Sequence, residues 1–75
     1  MYKFNVANST LDSLKDYTFE GPNLDNFKRG RVIVLQNKKG GKKRVKKFSI
    51  EYVKKFQDGF IIKNSNITLV LKRIL

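Results

Sequence analysis

Ser49-Ile50-Glu51-Tyr52-Val53-Lys54-Lys55-Phe56-Gln57 decides the fold class, because it fits two periods at once. As a helix, Ser49 takes the cap position, and Ile50, Tyr52, Val53 and Phe56 gather on one arc. Glu51, Lys54 and Lys55 take the opposite arc, and Asp58-Gly59 supplies the glycine that follows a helix end. As a strand, Phe48, Ile50, Tyr52 and Phe56 share one face, with Lys54 as the single exception. Cap, stop and arc agree, so the sequence predicts a helix here.

Upstream, residues 31–36 read as a strand, since Val32, Ile33, Val34 and Leu35 are continuous and largely β-branched. Asn37-Lys38-Lys39-Gly40-Gly41-Lys42 then turns the chain, its two glycines supplying the positive φ of a hairpin loop. Residues 44–48 return. A two-residue loop at Gly40-Gly41 pairs Ile33 with Phe48 and Leu35 with Lys46, whereas a longer loop shifts that register. Downstream, residues 60–63 and 67–72 form a second hairpin around Asn64-Ser65-Asn66, and Ile74-Leu75 either packs or frays.

At the start of the chain, Tyr2, Phe4 and Val6 alternate with Met1, Lys3 and Asn5, the pattern of a half-buried strand. Asn8-Ser9-Thr10 offers N-cap residues, Leu11, Leu14 and Tyr17 follow at spacings of three, and Asp12 suits a first turn. The expectation is a short helix over residues 10–17. Residues 19–29 read as loop around Gly21-Pro22, anchored by Leu24 and Phe27. Val34 and Leu69 are expected in the core, each worth about 2 to 4 kcal/mol against Ala. Together these elements make an α+β domain, a small curved antiparallel sheet of about five strands with one or two short helices. An all-β, SH3-like small barrel is the alternative.

Seventy-five residues support one domain, residues 1–75. With 40% hydrophobic residues the chain can fill a thin core. It has no Cys and no His, which excludes disulfides, thiolate chemistry, ordinary zinc sites and imidazole catalysis. No apolar run approaches a membrane span, and the first residues lack the apolar stretch of a signal peptide, so a cytoplasmic location is expected. Lys outnumbers Arg 13 to 4, and there are seven Asn and six Ile. Such usage often follows AT-rich coding DNA, as in many phages and viruses, for which the location would be the host cytoplasm.

Charge is segregated. Residues 1–27 hold two cations and four carboxylates, net −2, while residues 28–75 hold 15 cations and two carboxylates, net +13. From Lys38 to Lys47, seven of ten positions are cationic. That density repels itself and calls for a polyanionic partner to offset it.

Arg29-Gly30-Arg31-Val32-Ile33-Val34-Leu35, followed by Gly41-Lys42-Lys43-Arg44-Val45, resembles the basic β-hairpin of KOW-type modules. Those are SH3-like barrels of ribosomal and transcription-elongation proteins. The likeness spans residues 29–45 and needs only a glycine, a β-branched strand, a Gly-Lys turn and a second strand, so it assigns no family.

Catalytic readings are thin. Asp12 and Asp16 read as solvated surface carboxylates, and Asp12, Asp16, Glu20 and Asp25 match no metal-binding loop. Neither a metal nor a cofactor is expected. The chemistry lies in the hairpin, where Lys38, Lys39, Lys42, Lys43, Arg44, Lys46 and Lys47 are placed to neutralise phosphates. Lys54 and Lys55 extend that surface along the expected helix, and Lys28, Arg29 and Arg31 join from the strand start. Lysine is a point charge rather than a base-reading fork, so the contact is to the backbone. Gln36 and Asn37 are the amides nearest a base edge, and among the aromatics near the cluster Phe48, Tyr52, Phe56 and Phe60 belong to the core.

The expected function is non-enzymatic nucleic-acid binding, with RNA slightly favoured over DNA because a lysine-rich, shape-reading surface suits duplex RNA. The alternative is a small inhibitor or accessory protein whose basic face docks on an acidic protein. A homodimer is also expected, through residues 67–71 or residues 2–6, because so small a core is marginal and strand edges need cover.

Overall fold

Residues 49–57 are not a helix. In the computed structural model, which describes residues 1–74, Ser49 ends one strand and Tyr52–Phe56 forms the next. The α+β expectation is thereby corrected: the described residues are nearly all-β, with seven antiparallel strands in one sheet. They are β1 (Tyr2–Ser9), β2 (Thr18–Gly21), β3 (Val32–Lys39), β4 (Lys42–Ser49), β5 (Tyr52–Phe56), β6 (Gly59–Lys63) and β7 (Thr68–Arg73). The helix expected over residues 10–17 shrinks to one 3₁₀ turn at Asp12–Leu14, because residues from Thr18 onward pair with β1. The loop expected over residues 19–29 contains most of β2 and a second 3₁₀ turn, Leu24–Asn26, capped by the Asn23 side chain.

The ladder runs β4-β3-β2-β1-β7-β6-β5. Its two end strands are consecutive in the chain, separated only by Ile50 and Glu51. The Ile50 N–H donates to the Arg31 carbonyl (2.8 Å), continuing the β3–β4 pairing. The next N–H, of Glu51, donates to the Lys63 carbonyl (2.9 Å) beside the β5–β6 pairing. The chain therefore leaves one end of the sheet and joins the other within one residue, so the sheet curls back on itself at this corner. Ile50 is buried there at 1% exposure. A bulge between Val6 and Asn8 in β1 adds curvature on the other side.

One cluster fills the curl: Phe4, Val6, Leu14, Phe19, Phe27, Ile33, Leu35, Phe48, Ile50, Phe60, Ile62, Leu69 and Leu71. Leu24 packs against it from the rim, and Leu75 lies outside the described residues. Strand alternation selects these side chains, since one face looks inward and the other meets water. Hence Val34, expected inside, is 46% exposed, while Ile33 and Leu35 point inward. Tyr52 is likewise 47% exposed, and Phe56 is half-buried. Leu69→Ala keeps its expected cost of about 2 to 4 kcal/mol. Val34→Ala should cost about 1 kcal/mol or less, mostly strand preference. Paired thermal melts check this, and equal losses in the two variants would mean that β3 presents the opposite face.

The strands expected to carry a dimer are both interior. β1 lies between β2 and β7, and β7 lies between β1 and β6, so neither offers a free edge. Strand pairing between copies would have to use β4 or β5, and lysines line β4, which blunts such pairing.

Candidate nucleic-acid interface

The β3–β4 hairpin has the register a two-residue Gly40-Gly41 loop dictates. Ile33 faces Phe48, Leu35 faces Lys46, and pairing continues to Lys39–Lys42. Gly40 and Gly41 have φ of 64° and 76°, the two positive angles of a primed turn. β2 pairs with β3 at Thr18–Gln36, and beyond that, from Asn37 to Arg44, the two strands stand without a neighbouring strand among the described residues. Four residues from Gln36 to the tip give a ribbon reaching roughly 13 Å past the core at ~3.3 Å per residue.

Antiparallel partners share a face, so the register sorts the cations. Lys38 and Lys43 oppose each other on the outer face, with Lys47 opposite Val34 further along. Lys39 and Lys42 oppose each other on the inner face, followed by Arg44 opposite Asn37 and Lys46 opposite Leu35. Like charges directly opposite destabilise a ribbon. The tip carries two such pairs in succession. All seven cations are exposed, and among the described residues only Lys39 has a carboxylate partner, Asp16 at 3.4 Å. Two further ion pairs, Lys3–Glu20 (3.5 Å) and Lys15–Asp12 (3.2 Å), belong to the acidic N-terminal part.

The remaining predicted residues lie at the other end of β4. Gly30 donates its N–H to the Ile50 carbonyl (2.7 Å), which fixes Arg29 and Arg31 beside the corner, and the Arg31 guanidinium donates to Asn26 Oδ1 (3.1 Å). Lys54 and Lys55 lie past that corner on β5, where strand alternation puts them on opposite faces. The expected continuous surface along a helix is thus replaced by two basic groups, one at the hairpin tip and one at the corner, with Lys46 and Lys47 between them. Phe48 and Phe60 are buried, and Tyr52 has the Lys63 ammonium 5.1 Å from its ring centroid.

Two features of the site were not read from the sequence. Asp16 reaches Lys39 across 23 residues, a separation that leaves no local signal. Val32, Val34 and Val45, 46–61% exposed, form an apolar strip on the outer face of the hairpin. Among the described residues no three carboxylates gather to hold a metal ion, and no helix is long and apolar enough to cross a membrane. Compared with known family models, with curated proteins and with solved structures, the chain matches none.

Asp16 is a built-in competitor for Lys39. Asp16→Asn should tighten binding to a polyanion by about two- to fivefold, the scale of one exposed ion pair, and leave melting nearly unchanged. Heparin or duplex titration by fluorescence anisotropy reads this out. Unchanged or weaker affinity would remove Lys39 from the contact.

Proposed function

We propose that this protein is a non-enzymatic nucleic-acid-binding domain that grips the phosphate backbone with its β3–β4 hairpin. One observation carries the reading. The hairpin holds seven exposed cations, five of them beyond its pairing with β2, and among the described residues only Lys39 has a carboxylate partner, in an arrangement that repels itself. A phosphate backbone, one negative charge about every 1.7 Å of duplex, relieves that repulsion and gains from releasing counterions. RNA and DNA both supply this charge.

About four to six phosphate contacts predict a slope of log affinity against log salt of roughly −3.5 to −5.5 on duplex DNA, and less on single strands. Lys42→Gln with Lys43→Gln should flatten the slope by up to about two units and weaken all sequences alike. Lys3→Gln with Lys15→Gln is the control, since both lysines are already paired with carboxylates. A loss confined to the control pair would place the contact elsewhere.

The exposed valine strip favours one second reading, an acidic protein partner. An apolar centre rimmed by Lys38, Lys43 and Lys47 matches the anatomy of a protein interface better than that of a phosphate surface. Co-purification separates the two. Nuclease-sensitive absorbance at 260 nm supports the first reading, and one stoichiometric acidic protein supports the second.

A further inference from the structure

The sorting of charge onto both faces of the ribbon says how a nucleic acid would lie on it. We propose, resting on the nucleic-acid reading above, that the hairpin tip enters the major groove of B-form DNA, with its two faces turned to the two walls. A ligand lying on one face would touch either Lys38 and Lys43 or Lys39 and Lys42, but not both pairs. Only a ligand that encloses the tip meets both.

The dimensions select the groove. A two-stranded ribbon with its side chains is about 10 Å thick. The B-form major groove is about 12 Å wide and 8.5 Å deep and admits such a ribbon, whereas the minor groove, about 6 Å wide, does not. The roughly 13 Å of hairpin beyond its last pairing with β2 exceeds that depth, so the tip is long enough to reach the floor. The A-form major groove of duplex RNA is deep and narrow, and its shallow minor groove offers no walls to enclose a ribbon. Composition alone leans to RNA, and the ribbon's shape reverses that lean.

Behind the tip, on the same face as Lys39 and Lys42, Arg44 stands opposite Asn37 and extends the contact along that wall.

Two double variants of the full chain test the enclosure: Lys38→Gln with Lys43→Gln on the outer face, and Lys39→Gln with Lys42→Gln on the inner face. Each removes a repulsive pair, so folding is preserved, and far-UV circular dichroism confirms it. Binding is read by anisotropy on a 20-base-pair DNA duplex and on the RNA duplex of the same sequence. Each variant should flatten the salt slope on DNA by up to about 1.8 units, two contacts' worth. DNA should bind at least about tenfold more tightly than the RNA duplex, since only the B-form groove admits the ribbon. Methyl green, which occupies the major groove, should compete, and netropsin, which occupies the minor groove, should not. If one face proves silent while the other matters, or RNA binds as well as DNA, the groove is wrong and phosphate binding stands. If wild type binds neither duplex at about 100 mM salt, the nucleic-acid reading fails and this inference with it.

Discussion

Phe4→Ala should remove about half of the domain's stability. Phe4 is 1% exposed at the middle of the sheet, on β1. Its ring stands edge-on to Phe27 at 5.0 Å and to Phe60 at 5.8 Å, and lies 6.4 Å from Phe19. The 3₁₀ turn at Leu24–Asn26 brings Phe27 in from the loop, so removing Phe4 also loosens the anchor of that loop. Truncating a buried Phe costs about 3 to 5 kcal/mol. A 75-residue domain has only about 4 to 11 kcal/mol in total at typical stability per residue. The melting midpoint should therefore fall by at least about 12 °C, if the variant melts cooperatively at all. Tyr52→Ala, at an exposed ring, is the comparison and should shift the midpoint by only a few degrees. Similar small shifts in both would mean that the aromatic cluster is not the keystone of the core.

The hairpins were legible because short turns and β-branched runs leave few choices. Gly40-Gly41 fixes a two-residue loop, and that loop fixes every cross-strand pair from Lys39–Lys42 to Val32–Ser49. The Asn64–Asn66 turn works similarly: the Asn64 side chain accepts from the N–H groups of Asn66 and Ile67, closing β6 onto β7. The charge of the tip followed directly, since lysines flanking the turn cannot reach the core.

The stretch at 49–57 was not legible, because each helix signal serves another purpose. Ser49 is the partner of Val32, not a cap. Gln57-Asp58 forms the tight turn between β5 and β6, and Gly59 is the strand residue that follows. A Cβ on Gly59 would overlap the Leu71 carbonyl oxygen, so this glycine permits close approach of β7 instead of ending a helix. β2 was invisible for a different reason. Only two of its four residues, Thr18 and Phe19, favour a strand, too short a run to read, and the strand is held by pairing with β1 and by the Thr18 hydroxyl donating to the Gln36 carbonyl (3.3 Å). Val34 is misplaced by the sequence because four apolar residues in a row do not say which of them face the core. A sheet curled over one core buries only alternate residues.

Replacing Gly40 and Gly41 together with Ala should weaken nucleic-acid binding roughly tenfold with every charge still in place, because a preformed shape spares the cost of ordering it on contact. Nothing lies within 4 Å of either position, so space is not the obstacle. The obstacle is conformation: at φ of 64° and 76° an L side chain costs roughly 1 to 2 kcal/mol per residue, or about 2 to 4 kcal/mol for the pair. Little at the tip resists that strain, because the first two cross-strand pairs are lysine against lysine. The ribbon should open from the tip to about Asn37–Arg44, while Ile33, Leu35 and Phe48 keep its base in the core. Global melting should move little, and hydrogen exchange should lose protection at residues 38–43 alone. Gly40→Asn, which builds the Asn-Gly pair favoured in such turns, should restore both ribbon and affinity. If the double Ala variant binds like wild type, charge density alone is the attractant and the shape of the hairpin is irrelevant. If Gly40→Asn binds and the Ala pair does not, the sequence of the turn controls binding through the geometry of its lysines.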